Sequence, residues 1–154
     1  MINGKDSGRI YSAMTYSPFV ERLPGVPGWF YYGVHAVEPL LARMGGDYVD
    51  VRCTVSEEYG PVAIGTWSDG RNGIAKATCK STNDYGFVVW TEKGVHYATL
   101  DKSKVYHGLY RELISFFRTG VSPLAINETL KVMSFMEAAN TSMYNGGRTE
   151  TLAL

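Results

Sequence analysis

YVDVRCTVSEEYGPVAIGTWSDGRNGIAKATCKSTNDYGFVVWTEKGVHYATL, Tyr48 to Leu100, reads as strand after strand. Tyr48 to Ser56 alternates, with Val49, Val51, Cys53 and Val55 on one face, and Val62–Ser68, Ile74–Lys80, Tyr85–Thr91 and Val95–Leu100 follow in quick succession. The connections Asp69-Gly70-Arg71-Asn72-Gly73 and Thr91-Glu92-Lys93-Gly94 are too short for a crossover helix, so their flanking strands pair antiparallel. The expectation is a meander of about five strands. Several of these strands are apolar on both sides: Ala75, Ala77 and Cys79 stand opposite Ile74, and Phe87 and Val89 opposite Val88 and Trp90. Such a sheet wants cover on both faces.

Working outward, Arg9 to Tyr16 alternates and predicts a first strand ended by Ser17-Pro18. Pro24, Gly25, Pro27 and Gly28 make the next stretch a loop. GWFYYGVHAVEPLLARMGG, Gly28 to Gly46, then predicts a helix, with Val34, Val37, Leu41 and Met44 as its core stripe and Gly45-Gly46 as its stop. Pro39 has no N–H to give, so the regular helix begins only a few residues before it or kinks there. Beyond the strands, Tyr106, Leu109, Tyr110, Leu113, Phe116 and Phe117 have helical spacing, as do Val132, Met136, Ala139 and Met143. The second of these helices is expected to open at Asn127 and close at Asn145-Gly146-Gly147, ahead of a short last strand, Arg148–Leu152.

The fold class is therefore α+β: a large, mostly antiparallel (mixed), open-faced sheet with helices packed on one face, in a single domain over residues 1–154. Too few helices remain for the second sheet face, which makes it a candidate subunit interface and the chain a candidate homo-oligomer. The alternative is a sheet that curls over its own side chains.

Composition narrows the function. The chain has 45% hydrophobic and 19% charged residues, and its 15 Lys plus Arg balance its 15 Asp plus Glu. That is ordinary globular chemistry with no basic field for nucleic acid. No apolar run approaches the ~20 residues of a membrane helix, and MINGKDSGRI at the start is polar, so the expected location is cytoplasmic. The two cysteines, Cys53 and Cys79, lie in separate strands and read as buried reduced thiols.

On the first helix Tyr31, His35 and Glu38 share one side, next to the core stripe. A phenol, an imidazole and a carboxylate on one surface suit proton transfer, since imidazole titrates near neutrality and a carboxylate can orient it. A histidine hydrogen-bonded to Glu38 for structural reasons alone is the bland alternative. His96 and His107 have no spacing that ties them to His35, so no metal is expected. No Gly-x-Ser-x-Gly elbow and no Gly-x-Gly-x-x-Gly turn occurs.

Three segments, GWFYYGVHAVEPLLARMG, then GTWSDGRNG at Gly65–Gly73, then FFRTGVSPLAINETLKVMSFMEAANTSMYNGG at Phe116–Gly147, resemble in that order the C-terminal half of the Gfo/Idh/MocA oxidoreductases, relatives of glucose-fructose oxidoreductase and inositol dehydrogenase. The resemblance runs from about Arg9 to Leu152. It implies a sheet whose open face serves dimer or tetramer contacts, and a substrate pocket closed over a nicotinamide that an N-terminal Rossmann domain, absent here, holds as NAD or NADP. No cofactor is expected on this chain by itself. The family's helix carries Asp-x-x-x-His; His35 matches the histidine and inherits contact with a sugar or cyclitol hydroxyl and its proton. Tyr31 stands where the aspartate is expected, and a phenol with a pKa of about 10 donates a hydrogen bond but carries no charge at neutral pH. Glu38 is expected to orient the imidazole. Glu92-Lys93-Gly94 is similar to the family's Glu-Lys-Pro only in letters, because it sits in a hairpin turn. The resemblance thus implies the substrate-side part of an NAD(P)-dependent oxidoreductase, inactive alone. The other reading is a stand-alone binding or assembly module that keeps the fold and has lost catalysis.

Overall fold

The computed structural model describes residues 8–19, 25–26, 28–80, 84–103 and 105–152. The elements are β1 (Ile10–Pro18), a π-helical turn (Trp29–Gly33), α1 (Val34–Met44), β2 (Tyr48–Ser56), β3 (Gly60–Trp67), β4 (Asn72–Thr78), β5 (Gly86–Thr91), β6 (Gly94–Thr99), α2 (Val105–Thr119), α3 (Ile126–Tyr144) and β7 (Glu150–Thr151). Most of the loop expected between Phe19 and Gly28 lies outside the described residues.

The seven strands form one mixed, open sheet in the order β6-β5-β1-β4-β3-β2-β7. Both expected hairpins form, β3 with β4 and β5 with β6. The unbroken meander does not: β1 lies between β4 and β5, parallel to the first and antiparallel to the second. A tight turn forces its two strands to be neighbours, and the connection from Thr78 to Gly86 is longer than that, so the sheet opens there to admit another strand.

β1 also runs two residues beyond its expected end. The Phe19 N–H donates to the Thr78 carbonyl at 2.9 Å, so alternate residues reach toward β4 and Pro18 turns the other way. On that side β5 pairs no further than Gly86 opposite Tyr16, and the missing proline N–H costs no ladder bond. In β2 an irregularity between Tyr48 and Asp50 puts Tyr48, rather than Val49, on the core side, and Val55 ends half exposed. The Tyr48 ring packs edge-on to Phe135 and Trp67, and its hydroxyl donates to the Lys131 carbonyl at 2.6 Å. Burial pushes that phenol up to about 12.

One face of the sheet is covered by α1 and α3. Ala13, Thr15, Ala75 and Ala77 meet α1, where the Thr15 hydroxyl donates to the Ala36 carbonyl at 2.6 Å. On the α3 side the Ser142 hydroxyl accepts from the Cys53 N–H at 2.8 Å, tying the helix to β2. Cys53 is buried and Cys79 only half-buried, both as reduced thiols, and burial raises Cys53 to about 11. Gly65 leaves room for Phe135, whose ring would stand 2.7 Å from a Cβ at that position.

The α2 segment departs from expectation. The helix forms, yet none of its side chains is buried and it does not cover the sheet. α3 begins at Ile126 with Ala125 as its cap, so Asn127 falls inside the first turn and caps nothing. Its end is as expected, with Gly146 and Gly147 at positive φ and the Gly147 N–H on the Ser142 carbonyl. On the uncovered sheet face the register lines up Tyr97, Val88, Met14, Ile74 and Ile64 in one row across five strands.

Candidate functional site

His35 is the second residue of α1 and is solvent-exposed. The approach to it is irregular. Trp29–Gly33 winds as a π-turn, a form that recurs at functional sites, and the regular helix starts five residues before Pro39. Pro39 has no N–H, so the His35 carbonyl lacks its usual helical donor. The π-turn is pinned from α3: the Trp29 N–H donates to Asn140 Oδ1 at 3.1 Å, and the Trp29 ring is fully buried. Gly33 is required there, since a Cβ would stand 2.5 Å from the Trp29 ring.

This turn presents Tyr32 to the imidazole, with Tyr31 packed behind it. Tyr31 and Tyr32 meet edge-to-face at 5.1 Å, and Tyr32 meets the His35 ring at 5.4 Å. Tyr85, just ahead of β5, closes the other side at 5.7 Å and 84°. Burial, and then the neighbouring Tyr32 with which it shares a hydrogen bond, raise the Tyr85 pKa. Tyr106 at the start of α2 is close enough to add to that shift. The site is thus a collar of phenols around an imidazole, with hydroxyls that donate or accept and ring faces that take up apolar surface.

Glu38 faces elsewhere. It lines a groove between α1 and α3 together with Leu41, Leu124, Glu128 and Lys131, and among the described residues no hydrogen bond or ion pair joins it to His35. His96 lies on β6 and His107 on α2, and among the described residues no three of His, Cys, Asp and Glu gather as a metal site would require. Sequence spacing put Tyr31 beside His35, and in the structure Tyr31 packs on Tyr32, which is the residue that meets the imidazole. Spacing missed Tyr32, although the doubled tyrosine is visible, and it missed Tyr85, which only the placement of β1 beside β5 carries to this end of the sheet.

Among the described residues no Gly-x-Gly-x-x-Gly turn joins a strand to a helix, and the entry to α1 is filled by Trp29 rather than opened by glycines.

No family model matches the sequence, and no curated protein matches it. Solved structures do match. A myo-inositol dehydrogenase from Corynebacterium glutamicum superposes with a TM-score of 0.77 at 15% identity, over 98% of this chain and 59% of the other. The myo-inositol dehydrogenase from Lactobacillus casei, in complex with NAD(H) and myo-inositol, gives 0.73 at 11% identity, over 96% of this chain and 55% of the other. The WlbA dehydrogenase from Bordetella pertussis, in complex with NADH and UDP-GlcNAcA, gives 0.67 at 18% identity, over 96% and 56%. This chain therefore has the fold found in somewhat over half the length of each of these dehydrogenases.

Proposed function

We propose that this chain is the substrate-side domain of an NAD(P)-dependent oxidoreductase for a sugar or cyclitol, working with a nucleotide-binding part held outside the residues described. The observation that carries the reading is His35 held between the rings of Tyr32 and Tyr85, with Tyr31 against Tyr32, on this fold. An imidazole in a collar of neutral phenols accepts the proton of a bound hydroxyl and returns it, while the phenol O–H groups fix neighbouring hydroxyls and the ring faces take the C–H side of the substrate. Tyr31 and His35 are the substrate-contacting residues in this scheme. Glu38 contributes from the adjacent groove by its charge and not by a bond to the ring. The open sheet face, with its apolar row from Tyr97 to Ile64, pairs with a second copy.

The test joins this chain to its nucleotide-binding part and screens cyclitols and sugars for NADH or NADPH formation, with His35→Ala beside the parent. We expect turnover in the parent and a fall of about 10²–10⁴ in kcat/KM for the variant. Unchanged turnover in His35→Ala would remove the site. Absence of turnover in the parent, with the fold intact, would favour the assembly module, which Tyr31 in place of a carboxylate and the lack, among the described residues, of a carboxylate bonded to His35 also fit.

A further inference from the structure

α1 meets the β5 segment through two ring contacts. The His35 imidazole lies 5.7 Å from the Tyr85 ring, and the Arg43 guanidinium stacks on the Phe87 ring with Cζ 3.9 Å from its centroid. Tyr85 continues the ladder of β5, since its carbonyl accepts from the Leu100 N–H at 2.7 Å, and Phe87 pairs with Thr15, the residue whose hydroxyl bonds α1. Two positions apart in one strand, both rings stand on the helix side of the sheet, about 7 Å from each other. The Cα atoms of His35 and Arg43 are about 12 Å apart along the helix, and the arginine side chain makes up the difference by leaning toward the N-terminus of α1. The guanidinium is thereby carried back toward the imidazole.

That guanidinium is half-buried and makes no hydrogen bond or ion pair among the described residues. Burial lowers its pKa, as befits a charge that has lost water without gaining a carboxylate. One row further along β5, His96 faces Val89 from β6, and its Nε2 is buried with no partner among the described residues. Ala98, across from Phe87, is exposed, so the strip between α1 and β6 is open to a ligand. A basic residue in the last turn of α1 complements the helix dipole, but that role needs only the charge, not a guanidinium turned back over an aromatic ring and left without a counter-ion.

We propose that Arg43 is the anion anchor of the His35 site and, resting on the function proposed above, that the substrate is an acidic sugar or cyclitol: its phosphate or carboxylate lies on Arg43 while its reacting hydroxyl lies on His35. The planar fork of a guanidinium takes two oxygens of either group at once, and the Phe87 ring fixes the plane of the fork. The separation of about 7 Å between the two ring contacts suits a hydroxyl on one side of a pyranose and a charged substituent on the other.

The experiment takes the protein isolated from its native cell and titrates it calorimetrically with hexose 6-phosphates, hexose 1-phosphates and hexuronates, each beside its neutral parent sugar. At least one acidic member should bind about ten- to a hundredfold more tightly than its parent, and Arg43→Gln should remove that advantage while leaving the neutral sugar's affinity within about twofold. Arg43→Lys keeps the charge without the fork and should restore part of it. Phosphates and uronates in separate arms show which acidic group the anchor takes. No acidic sugar favoured over its parent, an advantage that survives Arg43→Gln, or an equal loss of acidic and neutral binding in both variants overturns the inference. Arg43-dependent binding of an acidic sugar that the assembled protein does not oxidise would keep the anchor and remove the proposed function. Oxidation of neutral sugars with no preference for acidic ones would do the reverse.

Discussion

The imidazole of His35 meets the ring of Tyr85 edge-on, with centroids 5.7 Å apart and planes at 84°, although fifty positions separate the two residues in the chain. Aromatic pairs in this geometry contribute beyond their buried area, about 0.5–1.5 kcal/mol. If this chain works in the enzyme proposed above, we expect Tyr85→Ala to lower its kcat/KM by about two- to tenfold by loosening the imidazole. Tyr85→Phe keeps the ring and loses the bond to Tyr32, so it should fall between parent and alanine. Steady-state kinetics on the three proteins checks the order.

Gly33→Ala pushes a methyl group into the Trp29 ring, 2.5 Å away at the ideal Cβ position. Trp29 is fully buried and pinned by Asn140, so it cannot swing aside. We expect a loss of about 1–3 kcal/mol in urea unfolding, despite the better helix propensity of alanine. Stability equal to the parent's would show that the π-turn relaxes.

Alkaline pH should unfold this protein early. Tyr48 and Cys53 both have pKa values raised by burial, to about 12 and about 11, so the folded state holds protons that the unfolded chain releases first. Their contribution is complete below pH ~9, begins to fade as the unfolded thiol and then the unfolded phenol ionise, and is lost as pH rises through the folded values. Tyr48→Phe with Cys53→Ala should flatten that decline, at a cost near neutrality of roughly 1 kcal/mol for the lost bond to Lys131 plus the small cavity at position 53. Urea titrations at pH 7, 9, 10 and 11 give the comparison.

Self-association should depend on the open sheet face. Ile74→Lys puts a charge into the row that holds Met14, Val88 and Ile64, and we expect it to shift sedimentation-velocity distributions toward monomer while leaving circular dichroism unchanged. A distribution identical to the parent's would place the contact between copies elsewhere.

Period-two and helical patterning were legible nearly throughout: β2 matches its expected span residue for residue, and the glycines that close α1 and α3 are where the sequence puts them. Strand order was not, because local alternation carries no information about which distant strand enters the sheet between β4 and β5. The same blindness hid Tyr85. It also explains α2, whose apolar face was read as cover for this sheet when the pattern shows only that the helix needs a partner, without saying which. Tyr48 displaced Val49 from the core through a one-residue irregularity that a strict period of two cannot register.

With β1 in the middle of the sheet, a strand made well before both of its neighbours must wait for them. Its partner β5 ends at Thr91, roughly seventy residues after Pro18, which at about 5–20 residues per second is a wait of some 4 to 15 seconds. Until then Ile10, Met14 and Tyr16 travel with a bare backbone edge, and newly made chains depend on whatever shields that strand in the cell while the rest is translated.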